Sequence, residues 1–134
     1  MPLTRISLRR GKPAAYRKAI CDSLYRAMRE ALNVPEGDRF ILITEHDEVD
    51  FDYGASWPGV ARSDDLVFIQ LTVNSTRTLS QKKALYRRLV QLLSENPGLR
   101  PDDVFISLIQ TLPENWSVGF GEAQFAPSED AVAT

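Results

Sequence analysis

The sequence has little of the chemistry that metal sites and disulfides require. It contains one cysteine, Cys21, and one histidine, His46, in 134 residues. An intrachain disulfide needs two cysteines, and the usual zinc sites draw on several Cys or His ligands. A single thiol suits a reducing compartment, and we expect Cys21 to pack near the edge of a helix rather than to react. The chain is therefore expected to need no metal.

Basic residues are not in excess either. There are 16 Lys and Arg against 18 Asp and Glu, so the formal net charge is −2. A nucleic-acid-binding surface would need a clear basic excess. No apolar run approaches the roughly 20 residues of a membrane span, and the N-terminus lacks the apolar core of a signal peptide. We expect a cytoplasmic protein whose partners include neither nucleic acid nor membrane.

Six segments have the periodicity of regular secondary structure. Residues 14–32 and 79–94 carry apolar residues at helical spacing, and Thr78 with Gln81 has the spacing of a capping box. Four segments rich in β-branched and aromatic residues predict strands, at 3–8, 39–45, 66–74 and 104–112. The order is β-α-β, a long connection, then β-α-β.

The fold class that follows is α/β (α+β), with two β-α-β halves forming one mostly four-stranded sheet. Both helices should cover one face of that sheet. We expect a single domain over 1–126, with halves at about 2–60 and 61–126 and a C-terminal tail at 127–134. Residues 122–125 are a candidate short fifth strand. The connection 46–65 is either functional or hides a short strand, since such long loops are uncommon.

Strand 66–74 is apolar on both faces, which is typical of a central strand covered on both sides. Helices can cover only one face in this arrangement. We therefore expect another subunit to cover the second face of the sheet.

Pro2 stands directly before the first strand. Removal of Met1 would make its nitrogen a secondary amine at the N-terminus. A free α-amino group titrates near pH 7.7–8.0, about 2–3 units below lysine, and can exchange protons near neutrality. A retained Met1 would abolish this chemistry, and Met-Pro alone is a common way for a protein to begin.

The rest of the chain carries a series of short motifs around this proline. In order they are Met1-Pro2-Leu3, Val34-Pro35-x-x-Asp38-Arg39, Thr44-x-His46, Arg62-Ser63, Leu71-Thr72-Val73-x-Ser75, Gln81-Lys82, Pro101-Asp102-Asp103-Val104 and Asn115-Trp116-Ser117-x-Gly119. Jointly they resemble the tautomerase superfamily, and within it the malonate semialdehyde decarboxylase branch. The resemblance runs from Pro2 to about Phe125. It implies a trimer built around a central channel, a cofactor-independent enzyme and a small carboxylate substrate.

The resemblance also implies roles for particular residues. Pro2 matches the catalytic amine, and Asp38 matches the aspartate that works with it. Arg77 matches the second of two arginines that bind the substrate carboxylate, while Thr76 stands in place of the first. Trp116 and Phe125 match aromatic walls of the pocket. The carboxylate clamp is thus halved, which puts malonate semialdehyde as the natural substrate in doubt.

Other polar residues have a structural interpretation as well as a functional one. Arg62 either binds substrate, in place of the missing arginine, or pairs internally with Asp64 or Asp65. His46, among acidic neighbours, is better explained as satisfied or solvated than as catalytic. Tyr53 and Trp57 of the long loop are candidates for lining the pocket.

The resulting hypothesis is a tautomerase or decarboxylase acting on a 2-oxo or 3-oxo carboxylate. Pro2 would transfer the proton, Arg77 would anchor the carboxylate, and Asp38 would assist. Two rivals stay open. One is a non-catalytic trimeric binding protein with the same fold, and the other is a dimeric ferredoxin-like small-molecule sensor.

Overall fold

The computed structural model describes residues 2–74 and 76–128. Met1 and most of the predicted tail lie outside these ranges. The six main elements are β1 (Pro2–Arg9), α1 (Ala14–Leu32), β2 (Ile41–His46), β3 (Val67–Asn74), α2 (Leu79–Glu95) and β4 (Val104–Thr111). Single 3-10 turns occupy Glu48–Asp50, Pro101–Asp103 and Pro113–Asn115. All six predicted elements are confirmed, although β2 begins two residues later than expected.

The predicted fifth strand at 122–125 is wrong. Those residues form irregular backbone and a turn: the Glu122 amide donates to the Gly119 carbonyl at 3.3 Å, and the Ala126 amide donates to the Ala123 carbonyl at 3.2 Å. The Gln124 side chain accepts from the Val118 amide at 3.0 Å and donates to the Gly119 carbonyl at 2.7 Å. Phe120 and Gly121 have φ values of 60° and 68°, in the left-handed region that interrupts an extended strand.

The four strands form one mixed sheet in the order β2-β1-β3-β4. β1 and β2 are parallel, β3 and β4 are parallel, and the two pairs meet through the antiparallel pairing of β1 with β3. One end of the sheet therefore holds the starts of β1 and β2 together with the ends of β3 and β4. The other end holds the opposite termini.

Both helices pack on one face of the sheet, as predicted, and against each other. Ile6, Ile69 and Leu71 from the central strands meet Leu24 of α1 and Leu89 of α2, all at most 1% exposed. The capping box of α2 is present: the Thr78 hydroxyl accepts from the Gln81 amide at 3.1 Å, and the Gln81 side chain accepts from the Thr78 amide at 2.9 Å.

The opposite face, here called the open face, has no helix on it. Leu42, Phe105 and Ile109 point outward from this face and are 53%, 42% and 41% exposed. The single chain thus leaves uncovered a sheet face that the sequence predicts to be covered. Neither helix of the described residues is long and apolar enough to cross a membrane.

The connection after β2 is folded by its own contacts rather than by a strand. The Arg62 amide donates to the Ala55 carbonyl at 2.8 Å, and the Tyr53 hydroxyl donates to Asp64 at 2.7 Å. The loop is fastened to the sheet by Asp103, which is 1% exposed and accepts from the Ser63 amide at 2.7 Å and the Ser63 hydroxyl at 2.6 Å. Trp57 stands out from this loop and is 79% exposed.

Candidate active site

Four segments of the chain converge at the end of the sheet where β1 begins, here called the Pro2 end. Pro2 pairs with Val73, the penultimate residue of β3. Asp38 lies three residues before Ile41, which starts β2 beside Thr4 of β1. Arg77 follows the end of β3, and Trp116 follows the end of β4. Residues far apart in sequence are thereby brought to one edge of the fold.

Pro2 itself is buried at the first position of β1. A proline suits that position, since the missing N–H removes no ladder hydrogen bond at the start of a strand. Its side chain shares the helix-covered face with Thr4 and Ile6. The ring is therefore held by packing rather than by polar contacts, and its nitrogen lies at the edge where the four segments meet.

Trp116 is held in place by a chain of two hydrogen bonds. Its indole Nε1 donates to the Thr111 hydroxyl at 2.7 Å, and that hydroxyl donates to the Val73 carbonyl at 3.1 Å. Since Val73 is the strand partner of Pro2, the indole is tied to the backbone beside the proline. A half-buried indole with its N–H satisfied provides a fixed apolar wall.

Arg77 has hydrogen-bonding capacity left over. Its Nη1 donates to the Thr76 hydroxyl at 2.6 Å. Its Nε is buried and finds no acceptor within residues 2–74 and 76–128, and the side-chain oxygen of Asn74 is buried and finds no donor there. A partly buried guanidinium with an unused donor matches a planar carboxylate.

Asp38 is fixed by the turn that contains it. Its amide donates to the Pro35 carbonyl at 3.1 Å, and the amide of the neighbouring Gly37 donates to the Tyr25 hydroxyl at 3.0 Å. Gly37 has a φ of 88°, which a residue with a side chain adopts only at a cost. The turn is thus anchored to α1, and the Asp38 carboxyl is partly buried at the start of β2.

Arg39, next in sequence, is occupied elsewhere. Its guanidinium donates to Asp22 at 2.5 Å and lies 4.9 Å from the centre of the Tyr25 ring. Together with Lys18, it holds the pKa of the Asp22 carboxyl below its usual value. Arg39 is therefore not an available substitute for the first clamp arginine.

Arg62 lies at the opposite end of the sheet, here called the loop end. Its guanidinium donates to the carbonyls of Gly54 and Trp57 and lies 5.7 Å from the Phe105 ring. The predicted ion pair with Asp64 or Asp65 is wrong, because backbone carbonyls of its own loop accept these hydrogen bonds instead. Phe105 pairs with Phe68, five residues from Val73, so about 17 Å of strand separates this region from Pro2.

His46 and Tyr53 also lie at the loop end. His46 pairs with Arg9 at the last position of β1, and its Nε2 is buried without a partner in the described part of the chain. Its ring packs against Phe51 at 6.0 Å. Phe125 is on the Pro2 side, 43% exposed beside Leu112 and Pro113 at the end of β4.

Three polar residues of this region did not emerge from the sequence. Thr4 is fully buried two positions from Pro2, and its hydroxyl has no partner among the described residues. Asn74 and Thr111 close the ends of β3 and β4. A hydroxyl in the apolar alternation of β1 was the available signal for Thr4. Thr111 could be recognised only from the strand register, which places it beside Asn74.

Comparison with known proteins agrees with this geometry. A family model described as tautomerase enzyme matches residues 38–119. The chain is 37% identical to the probable tautomerase YusQ of Bacillus subtilis (strain 168), over 92% of this chain and 98% of that protein. The chain belongs to the tautomerase family.

Two solved structures of this family are especially similar to the chain. FG41 malonate semialdehyde decarboxylase, inhibited by 3-bromopropiolate, has a TM-score of 0.85 and 33% identity, covering 92% of this chain and 93% of that one. A second malonate semialdehyde decarboxylase, studied for its decarboxylase and hydratase activities, has a TM-score of 0.85 and 30% identity, covering 92% and 95%. The tautomerase fold and the similarity to the decarboxylase branch are both confirmed.

Proposed function

We propose that this tautomerase-family enzyme transfers a proton on a small 2-oxo or 3-oxo carboxylate, using the amine of Pro2 after Met1 is removed. The observation that carries the proposal is the convergence at the Pro2 end. At this end of the sheet lie a buried proline, a guanidinium with an unused donor and a fixed indole. In this arrangement Arg77 holds the carboxylate, Trp116 excludes water, and Asp38 assists the proton transfer.

Tautomerisation requires only one basic group. The neutral Pro2 nitrogen removes a proton from the enol hydroxyl or from the carbon next to the carbonyl. The bond electrons shift along the enol system, and the protonated amine returns the proton at the other position. Because the carboxylate stays bound to Arg77 throughout, the substrate keeps its orientation between the two transfers.

Decarboxylation requires an electrophile instead. A protonated Pro2 would polarise the carbonyl of a 3-oxo acid while the bond to the carboxylate breaks. CO2 leaves, its bonding electrons form an enol, and the enol is then protonated on carbon. With Thr76 in place of the first arginine, the carboxylate has fewer ligands. We therefore favour a tautomerase of broad specificity over a dedicated decarboxylase.

We also propose that three copies assemble through their open faces. Leu42, Phe105 and Ile109 are each more than 40% exposed there, and an apolar sheet face of this kind marks an interface. A trimer is the assembly that the family resemblance implies. It would also bring Trp57 and Arg62 of one copy towards another.

Proton NMR of the purified protein with phenylenolpyruvate, and separately with malonate semialdehyde, tests the reaction. We expect ketonisation of the first substrate, and Pro2→Ala should slow it by about 100-fold or more. Pro2-dependent release of acetaldehyde from the second would instead identify a decarboxylase. If Pro2→Ala leaves every such activity unchanged, the proposal is wrong and the non-catalytic rival gains support.

A further inference from the structure

A row of polar side chains crosses the centre of the open face. In the strand register Arg5 of β1 lies beside Gln70 of β3, and Gln70 lies beside Ser107 of β4. Beside this row, Phe68 and Phe105 lie with Ser7 towards the loop end, and Ile109 lies with Thr72 towards the Pro2 end. A buried interface would be more stable with apolar residues here, so the polar row needs an explanation.

The row lines a recess in the sheet surface, here called the Arg5 pocket. Its volume is about 250 Å³, and the side chains of Arg5, Ser7, Gln70 and Ser107 contribute to its lining between Phe68 and Phe105. The pocket thus combines a guanidinium, an amide and two hydroxyls, all of which can donate hydrogen bonds. It is separate from the Pro2 end, since Arg5 is three positions along β1.

The charge of Arg5 is not balanced. No carboxylate of residues 2–74 and 76–128 forms an ion pair with it, and none of the outward positions of the four strands is Asp or Glu. Arg9 is a useful contrast, because it lies four residues further along β1 on the same face and is paired with Asp64 at 2.8 Å. In one isolated chain, water can solvate Arg5, which is exposed.

Assembly through the open face would change this. Three open faces around a central channel would bring copies of the same cation close together, and the repulsion of like charges is costly. An anion held by several guanidinium donors would offset that cost, through hydrogen bonds of the charge-assisted kind. The donors of Gln70, Ser7 and Ser107 would satisfy its remaining oxygens.

We propose that the Arg5 pocket binds a small oxyanion, of the phosphate or carboxylate type, which stabilises the assembled protein. This proposal rests on the assembly described under Proposed function. It does not depend on the reaction at Pro2. The free energy of binding adds to the stability of the form that binds, so the anion should raise the melting temperature.

The test measures thermal unfolding and isothermal titration calorimetry with potassium phosphate, against potassium chloride at equal ionic strength. Wild-type protein should bind phosphate and gain a few degrees in melting temperature at saturating concentration. Arg5→Gln should lose both effects. Arg87→Gln makes the same change on an exposed arginine of α2 and should keep both.

Two further variants locate the anion. Arg77→Gln should retain the phosphate effect, and loss of the effect in this variant rather than in Arg5→Gln would place the anion at the Pro2 end and overturn the proposal. Arg5→Lys keeps the charge but not the planar fork, and should bind phosphate more weakly than the wild type. Arg5→Lys also tests the pocket if the Arg5→Gln variant does not fold.

Light scattering on the same samples separates the two proposals. A trimer without Arg5-dependent phosphate binding would overturn the anion site alone. A monomer that does not bind phosphate would overturn both the anion site and the assembly. Arg5-dependent binding by a monomer would support the pocket and contradict the assembly.

Discussion

The two ends of the sheet handle their charged groups differently. At the loop end the cations are paired: Arg9 with Asp64, Arg10 with Asp47 at 3.0 Å and Lys12 with Asp65 at 2.6 Å. At the Pro2 end the Arg77 Nε has no acceptor within the described residues. Ion pairs of this kind stabilise a fold, whereas a buried guanidinium donor without a partner is available to a ligand. We therefore expect the ion pairs of the loop end to be structural and propose the Pro2 end as the functional one, although the loop end also holds the buried His46 Nε2, which has no partner among the described residues.

Removing the Asp103 carboxylate should give the largest loss of stability. Asp103→Ala would leave the partly buried Ser63 amide without its acceptor and release the long loop, at a cost of about 3 kcal/mol in the free energy of unfolding. Urea denaturation measures this directly. Asp102→Ala is the matched control, since Asp102 is partly exposed and pairs only with Arg100 at 3.3 Å. Equal stability of the two variants would show that the loop does not need this anchor.

Substituting Arg77 at the Pro2 end and Arg62 at the loop end tests the same residue type at both ends of the sheet. Arg77→Gln should lower kcat/KM for an oxo acid by about 100-fold with little change in melting temperature, because it removes a charge-assisted contact to the carboxylate. Arg62→Gln should instead lower the melting temperature, since its guanidinium holds two loop carbonyls. The assignment of ends fails if Arg62→Gln lowers kcat/KM at unchanged stability, as it would if Arg62 reached a neighbouring copy's pocket.

A smaller effect is expected at the indole that borders the proline. Trp116→Phe keeps an aromatic ring at this position but removes the hydrogen bond to Thr111. This loss should cost about 1 kcal/mol in the free energy of unfolding. Trp57→Phe alters an indole that is 79% exposed and should change stability by less than about 0.5 kcal/mol. Chemical denaturation of the two variants side by side gives the comparison. A larger loss from Trp57→Phe would mean that the wrong tryptophan has been assigned to the wall.

The smallest effect concerns acid stability near Asp38. Arg39 and Lys18 lower the pKa of Asp22 from its usual 3.8, so the unfolded chain binds more protons than the folded one in that range. This contribution is fully present above about pH 4 and is lost as the pH falls through the lowered pKa. Asp22→Asn should flatten the loss of melting temperature below pH 4. An unchanged slope would show that the Asp22–Arg39 pair contributes nothing measurable in solution.

The sequence could predict the elements because their signals are local. Apolar spacing defines α1, and Thr78 with Gln81 defines the start of α2. The local backbone hydrogen bonds of the Glu122 and Ala126 amides were not visible in the same way, and they take the place of the expected fifth strand. Periodicity reports what a segment prefers, and not which side chain will compete for its backbone.

The candidate site was predictable only where a family motif carried it. Pro2, Asp38, Arg77 and Trp116 come from motifs, and the sheet order brings them to one end. The link from Trp116 through Thr111 to Val73 depends on strand register, which composition does not contain. Arg62 shows the opposite case, because its motif did not indicate that loop carbonyls would occupy its guanidinium.

Covalent labelling tests the reactive amine most directly. FG41 malonate semialdehyde decarboxylase is inhibited by 3-bromopropiolate, an electrophile that carries a carboxylate. After incubation of this protein with that compound, intact mass and peptide mapping should show a chain that begins at Pro2, with one adduct on its nitrogen. Cys21 should stay unlabelled, because burial raises the pKa of its thiol. An unlabelled chain that retains Met1, or an adduct on Cys21 alone, would contradict the assignment of Pro2 as the catalytic amine.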